Sequence, residues 1–192
     1  MIVPGLHHLA APSETKENPV PGENLTRVEA RDRAALVSVE SYDILLDLAA
    51  GPGTFSSTTT VRFSAPAGGS TFIDLIAPRV HTIVLNGRAL DPAVVFADSR
   101  IALDDLAAEN ELVVVADCAY MTTGEGMHRF VDPVDNEVYL YTQFEVSDSR
   151  RVFAVFEQPD LKATFRFTVT APGWARASAS WRRPSSTPVP SR

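Results

Sequence analysis

The chain has 192 residues, 45% hydrophobic and 21% charged, a balance that supplies the core of one ordinary globular domain and excludes a chain too polar to fold. A formal net charge of −7 argues against nucleic acid or an anionic membrane surface as partner, since both select basic patches. No apolar run reaches the length of a membrane span, and a single cysteine, Cys118, excludes an internal disulfide framework and fits a reducing compartment.

Residues 1–23 carry Pro4, Pro12, Pro19 and Pro21 with no sustained period, and are expected to form a disordered leader. They have no basic stretch ahead of an apolar one and do not read as a secretory signal, so a cytoplasmic location is expected. The folded domain is expected over residues 24–172. It opens with Thr26-Arg27-Val28-Glu29, which has the spacing of a capping box, and predicts a helix from about Arg27 to Ala35. Leu25 is placed to staple onto Ala30, and Glu29 lies four residues before Arg33, a favourable helical ion pair.

The period then changes from helical to alternating. Tyr42, Ile44, Leu46 and Leu48 alternate with more polar neighbours, as do Thr59, Val61 and Phe63, and both runs read as half-buried strands. The segments 72–76, 82–85, 112–115, 138–141 and 165–169 are further strands rich in β-branched and aromatic residues. Asn86-Gly87 is a two-residue hairpin turn, because the favoured type needs positive φ at both central positions. Short strands at this spacing predict an all-β fold, an antiparallel sandwich or saddle with one or two short helices. Asp148 and Ser147 are placed to cap a short helix over Arg150–Phe156, with Phe153 and Phe156 on its apolar face and Pro159 ending it. Its arginines are expected to pair with Glu145 or Glu157. From about Gly173 the composition turns to Arg, Ser and Pro without strand period. Residues 173–192 are expected to be a disordered tail, and a shifted reading frame in GC-rich DNA would give such a composition.

The residues that could carry chemistry are few. The four histidines are His7, His8, His81 and His128, and no His-Glu-x-x-His occurs, so no metal site is expected in this chain. No Gly-x-Ser-x-Gly elbow or phosphate loop is present either. Gly124-Glu125-Gly126 reads as a tight turn, and Cys118 as a small buried hydrophobe near a strand end. Gln143 and Glu145 are two apart, so on an extended strand both would point to one face. On that basis alone they are ordinary surface groups.

The run Tyr141-Thr142-Gln143-Phe144-Glu145, then Asp148-Ser149-Arg150-Arg151, then Phe156 through Phe165 (F-E-Q-P-D-L-K-A-T-F) resembles the end of the N-terminal domain of the aminopeptidase N (alanyl aminopeptidase) family of zinc metallopeptidases. The family form reads roughly T-Q-F-E-x-x-D-A-R-R-x-F-P-C-F-D-E-P-x-L-K-A-T-F. Ser149, Ala154, Val155, Glu157 and Gln158 depart from it mildly, in the manner of an actinobacterial-type variant. The resemblance extends, more weakly, over residues 36–171. It implies a saddle-like β domain that works beside a catalytic domain, and an activity releasing N-terminal amino acids from peptides with zinc. It further implies that Gln143 and Glu145 help bind the substrate's α-ammonium, with no catalytic residue and no cofactor in this chain. The family's Gly-x-Met-Glu-Asn and zinc motifs are not among these residues. The chain alone is therefore expected to be inactive, and a stand-alone β-sandwich binding module is the alternative reading.

Overall fold

The computed structural model describes residues 25–171, so the expected leader 1–23 and tail 173–192 lie outside the described residues. Helix α1 (Arg27–Leu36) starts where the capping box places it. The Thr26 hydroxyl accepts from the Glu29 amide, and the Glu29 carboxylate accepts from the Thr26 amide at 2.9 Å. The largest sheet contains β1 (Ser38–Asp47), β2 (Thr54–Ser64), β4 (Arg79–Leu85), β5 (Arg88–Leu90), β8 (Glu109–Ala119) and β11 (Thr164–Thr170), in the order β11-β1-β2-β8-β4-β5. A second sheet orders β3 (Thr71–Asp74), β7 (Arg100–Leu103) and β6 (Phe96–Ala97) as β3-β7-β6. The third pairs β9 (Gly126–Val131) with β10 (Val138–Gln143). A short helix α2 (Pro92–Val95), capped by Asp91, leads into β6.

The alternation read from sequence is the packing pattern. Tyr42, Ile44 and Leu46 of β1 and Thr59, Val61 and Phe63 of β2 are all buried, while their neighbours face outward. On β8, Leu112, Val114, Ala116 and Cys118 complete the same face. Asn86 and Gly87 take φ of 52° and 78°, the left-handed pair that joins β4 to β5 in a two-residue turn. Pairing is antiparallel with one exception, since β11 returns parallel to β1, Phe165 opposite Tyr42 and Phe167 opposite Ile44. A long excursion separates the two strands, which is what a parallel neighbour requires.

Three local expectations are corrected. The helix expected over Arg150–Phe156 is a three-residue 3-10 turn, Ser149–Arg151, and Asp148 makes no capping bond there. Val152 through Phe156 are buried on every side, so no polar helical face exists to be solvated. Their backbone groups pair elsewhere instead. Asp74 and Val155 exchange amide–carbonyl bonds of 2.9 and 3.0 Å, and the Phe156 amide donates to the Tyr42 hydroxyl at 3.1 Å. Second, Glu29 and Arg33 do not pair along α1. Arg100 donates to Glu29 at 2.7 Å, and Arg33 donates to Asp74 at 2.7 Å. An exposed helical ion pair is worth only a few tenths of a kcal/mol, about 0.2–0.5, and loses to partly buried charge-assisted bonds. Third, β10 stops at Gln143, so Glu145 lies in the following turn and not on the same strand face.

Candidate functional site

The β9–β10 hairpin brings the candidate residues to one rim of the domain. In its register Tyr141 lies opposite His128 and Gln143 opposite Gly126. The His128 and Tyr141 rings stack at 4.6 Å, and the Gly124 amide donates to His128 Nδ1 at 3.0 Å. That bond leaves the Nε2 nitrogen to carry the proton of neutral His128. Gly126 is required by its place. Its φ is 59°, and a Cβ there would stand 2.8 Å from the Cβ of Arg151. In place of the expected tight turn, residues 122–125 bend and Gly126 opens β9, where its lack of a side chain makes room for Arg151.

Arg151 ties the two sides of the rim together. Its Nε donates to Asp148 Oδ1 at 2.8 Å, and an Nη lies 3.3 Å from Glu125 Oε2. The expected partners Glu145 and Glu157 are thus replaced for Arg151 by Asp148 and Glu125, which the tertiary fold delivers from either side. Glu157 instead accepts from the Arg150 amide at 2.8 Å and from the Ser149 hydroxyl, and so holds the 3-10 turn in place.

Beyond Gln143 the chain turns at Phe144, whose ring meets Phe153 edge-on at 5.6 Å. The Glu145 amide donates to the Gln143 side-chain carbonyl at 3.0 Å. Both side chains remain exposed. The two are therefore brought together by a local turn instead of by strand alternation. The Gln143 carbonyl keeps a second lone pair, and the Glu145 carboxylate is an acceptor throughout, so the pair can still take protons from an ammonium group. Glu125, one residue before the Gly126 that lies opposite Gln143, is a further acid on this rim. Nothing in its Gly-Glu-Gly setting marked it in the sequence; the strand pairing does.

Zinc does not fit the described residues. His81 Nε2 is 2.8 Å from Asp117 on the neighbouring strand, His128 is occupied by Gly124 and Tyr141, and no group of three His, Cys, Asp or Glu side chains converges among the described residues. Nor is any helix among them long and apolar enough to cross a membrane.

Residues 117–188 match the family described as the Peptidase M1 N-terminal domain. The chain is 65% identical over 166 residues to an aminopeptidase N of Streptomyces lividans, covering 84% of this chain and 19% of that protein. The described domain is a Peptidase M1 N-terminal domain. This M1 domain is also 35% identical over 120 residues to a probable M1 family aminopeptidase 1 of Encephalitozoon cuniculi, covering half of this chain and 14% of that one. Its fold is that of a domain in the crystal structure of Legionella pneumophila aminopeptidase A in complex with aspartic acid, with a TM-score of 0.58 at 15% identity over 69% of this chain and 16% of that one. The all-β architecture expected from the strand pattern is thereby borne out. The chain spans about a fifth of the length of the Streptomyces relative.

Proposed function

We propose that this M1 N-terminal domain serves a zinc aminopeptidase that releases N-terminal amino acids from peptides in the cytoplasm. In this reading Gln143 and Glu145 contact the substrate's free α-ammonium, and the chemistry belongs to a catalytic domain that is the domain's partner. The observation that carries the proposal is the 65% identity to an aminopeptidase N, combined with an exposed Gln–Glu pair preset by the 3.0 Å bond between them. An ammonium held by a carboxylate and an amide carbonyl places the first peptide bond at a set distance beyond, which selects chain ends. The rim alone binds weakly, because an exposed ion pair is worth about 1 kcal/mol or less. Seated against a catalytic domain, the same contacts lose water and strengthen. A stand-alone binding module remains the second reading, favoured by the apolar edge formed by Phe165, Phe167 and Val169.

The test is a domain exchange. Residues 25–171 replace their counterpart in the Streptomyces aminopeptidase, and hydrolysis of an alanine anilide is measured. The chimera should be active, and Glu145→Ala should raise KM by about ten- to a hundredfold, the value of a charge-assisted bond. An active chimera with unchanged KM would remove Glu145 from the amine site.

A further inference from the structure

Gln143 and Glu145 hold one another through a single bond, the Glu145 amide donating to the Gln143 side-chain carbonyl at 3.0 Å, and both side chains are exposed. One exposed hydrogen bond opens and closes freely, and cannot by itself fix two acceptors relative to a ligand. Arg151 supplies what that bond lacks. On one flank of the turn its Nε donates to Asp148 Oδ1 at 2.8 Å and its amide to the Asp148 carbonyl at 3.1 Å. On the other flank an Nη lies 3.3 Å from Oε2 of Glu125, the residue before the Gly126 that pairs with Gln143. Between the two, its stem covers Gly126, where an added Cβ would stand 2.8 Å from the Arg151 Cβ and 3.3 Å from its Cδ. Directly opposed residues of an antiparallel pair point to one face, so the stem of Arg151 and the Gln143 side chain share that face. The contacts of one side chain thus span both segments that end on the Gln143–Glu145 turn.

Arg151 is itself tied to the core. It closes the 3-10 turn, whose Arg150 carbonyl accepts from the Ile76 amide at 2.6 Å, and Val152 through Phe156 beyond it are buried. Its guanidinium also sorts the acids of the rim. Asp148 and Glu125 are taken, while Glu145 has no cation partner among the described residues. Forked donors make this possible, since a lysine ammonium is a point charge that would serve one carboxylate at a time.

We propose that Arg151 is a positioning residue for amine recognition, acting through the Gln143–Glu145 pair. It holds the turn that presents the two acceptors and neutralises the neighbouring carboxylates, so that an incoming α-ammonium meets Glu145 in preference to Asp148 or Glu125. The inference rests on the amine-binding role proposed above for Gln143 and Glu145, and adds to it the side chain that sets their geometry. Gly126 belongs to the same device, because any side chain there would push Arg151 off the bridge.

Hydrogen exchange in the full 192-residue chain reads the hold on the turn. Arg151→Ala should speed exchange of the Glu145 amide about fivefold, the value of an exposed ion pair, and leave the β2 and β8 amides unchanged. Arg151→Lys should fall between wild type and Arg151→Ala. An unchanged Glu145 rate in Arg151→Ala overturns the proposal. Should that variant fail to fold, Glu125→Gln removes one arm at a half-exposed site, and an unchanged rate there overturns it equally. The functional half is read in the domain-exchange enzyme with an alanine anilide. Arg151→Ala should raise KM about fivefold with kcat little changed, and raise it no further once Glu145→Ala is present, because it acts through Glu145. Additive effects on KM, or a loss in kcat with KM unmoved, overturn the positioning role. If Glu145→Ala leaves KM unchanged, the amine reading fails instead, and the exchange rates still decide whether Arg151 holds the turn.

Discussion

Cys118 sits on β8 with its thiol fully buried, and burial, then the neighbouring Asp117 charge, pushes its pKa up to about 12. The thiolate that alkylating reagents require is scarce at neutral pH. Iodoacetamide at pH 8 should leave Cys118 unmodified in the folded chain and label it fully in denaturant; ready labelling without denaturant would refute its burial. Glu29 behaves oppositely. The hydrogen bond from Arg100 comes first among the causes that hold its carboxyl near 2, against an ordinary value of 4.5, and burial opposes it. Its folded pKa is depressed, so the stabilisation is present above 4.5 and lost as pH falls toward 2. Thermal melts of wild type and Glu29→Gln should therefore differ at neutral pH and converge across that interval. A gap independent of pH would mean that the carboxylate charge contributes nothing. The capping role of Glu29 was legible from Thr26-x-x-Glu29, whereas its partner Arg100, seventy-one positions away, was not.

At the scale of elements, α1 is attached to the sheets by a buried ion pair. The Arg33 and Asp74 side chains are 1 and 3% exposed. Arg33 also donates to Gln158 at 3.0 Å and lies over the Phe72 ring at 4.8 Å, and Asp74 accepts from the Glu157 amide at 3.1 Å. Helix, β3 and the segment after the 3-10 turn thus meet at one carboxylate. Asp74→Ala leaves a guanidinium buried without its charge partner, and should cost about 3–5 kcal/mol in urea denaturation. Replacing both residues, Arg33→Met with Asp74→Leu, should recover most of that loss, since a buried pair breaks nearly even against apolar residues of similar volume. If the double variant is as unstable as the single one, the hydrogen bonds to Gln158 and Glu157 outweigh the ion pair. The same junction explains why the helix expected over Arg150–Phe156 does not form. That segment spends its backbone groups on Asp74, Thr59 and Tyr42, residues of three different strands.

For the whole molecule, the sheets differ in how they are held. β2 and β8 have a strand on either side and carry fully buried residues, among them Phe55, Val61, Leu112 and Cys118. The β9–β10 pair forms a sheet of its own, with Phe130, Val131, Tyr139 and Tyr141 exposed. Native-state hydrogen exchange should find β2 and β8 amides opening only with global unfolding, and β9–β10 amides opening in a separate, less costly step. Equal protection in both would show one cooperative unit. A rim that opens on its own also suits the proposed role, since a contact loop must adjust to a bound peptide end.

Alternation of apolar and polar side chains in β1, β2 and β8, the Asn86-Gly87 turn and the α1 capping box were all readable in the sequence. Each depends on neighbours within a few residues, and a local rule suffices. The T-Q-F-E and D-S-R-R run carried the family resemblance. Only tertiary structure decided that Arg33 and Glu29 leave one another for Asp74 and Arg100, that β11 lies parallel to β1, and that Gln143 and Glu145 meet through a turn. The two ion pairs are competitions between a weak local partner and a buried or partly buried distant one. Burial decides them, because a charge or amide removed from water must take whichever partner the packing brings within reach.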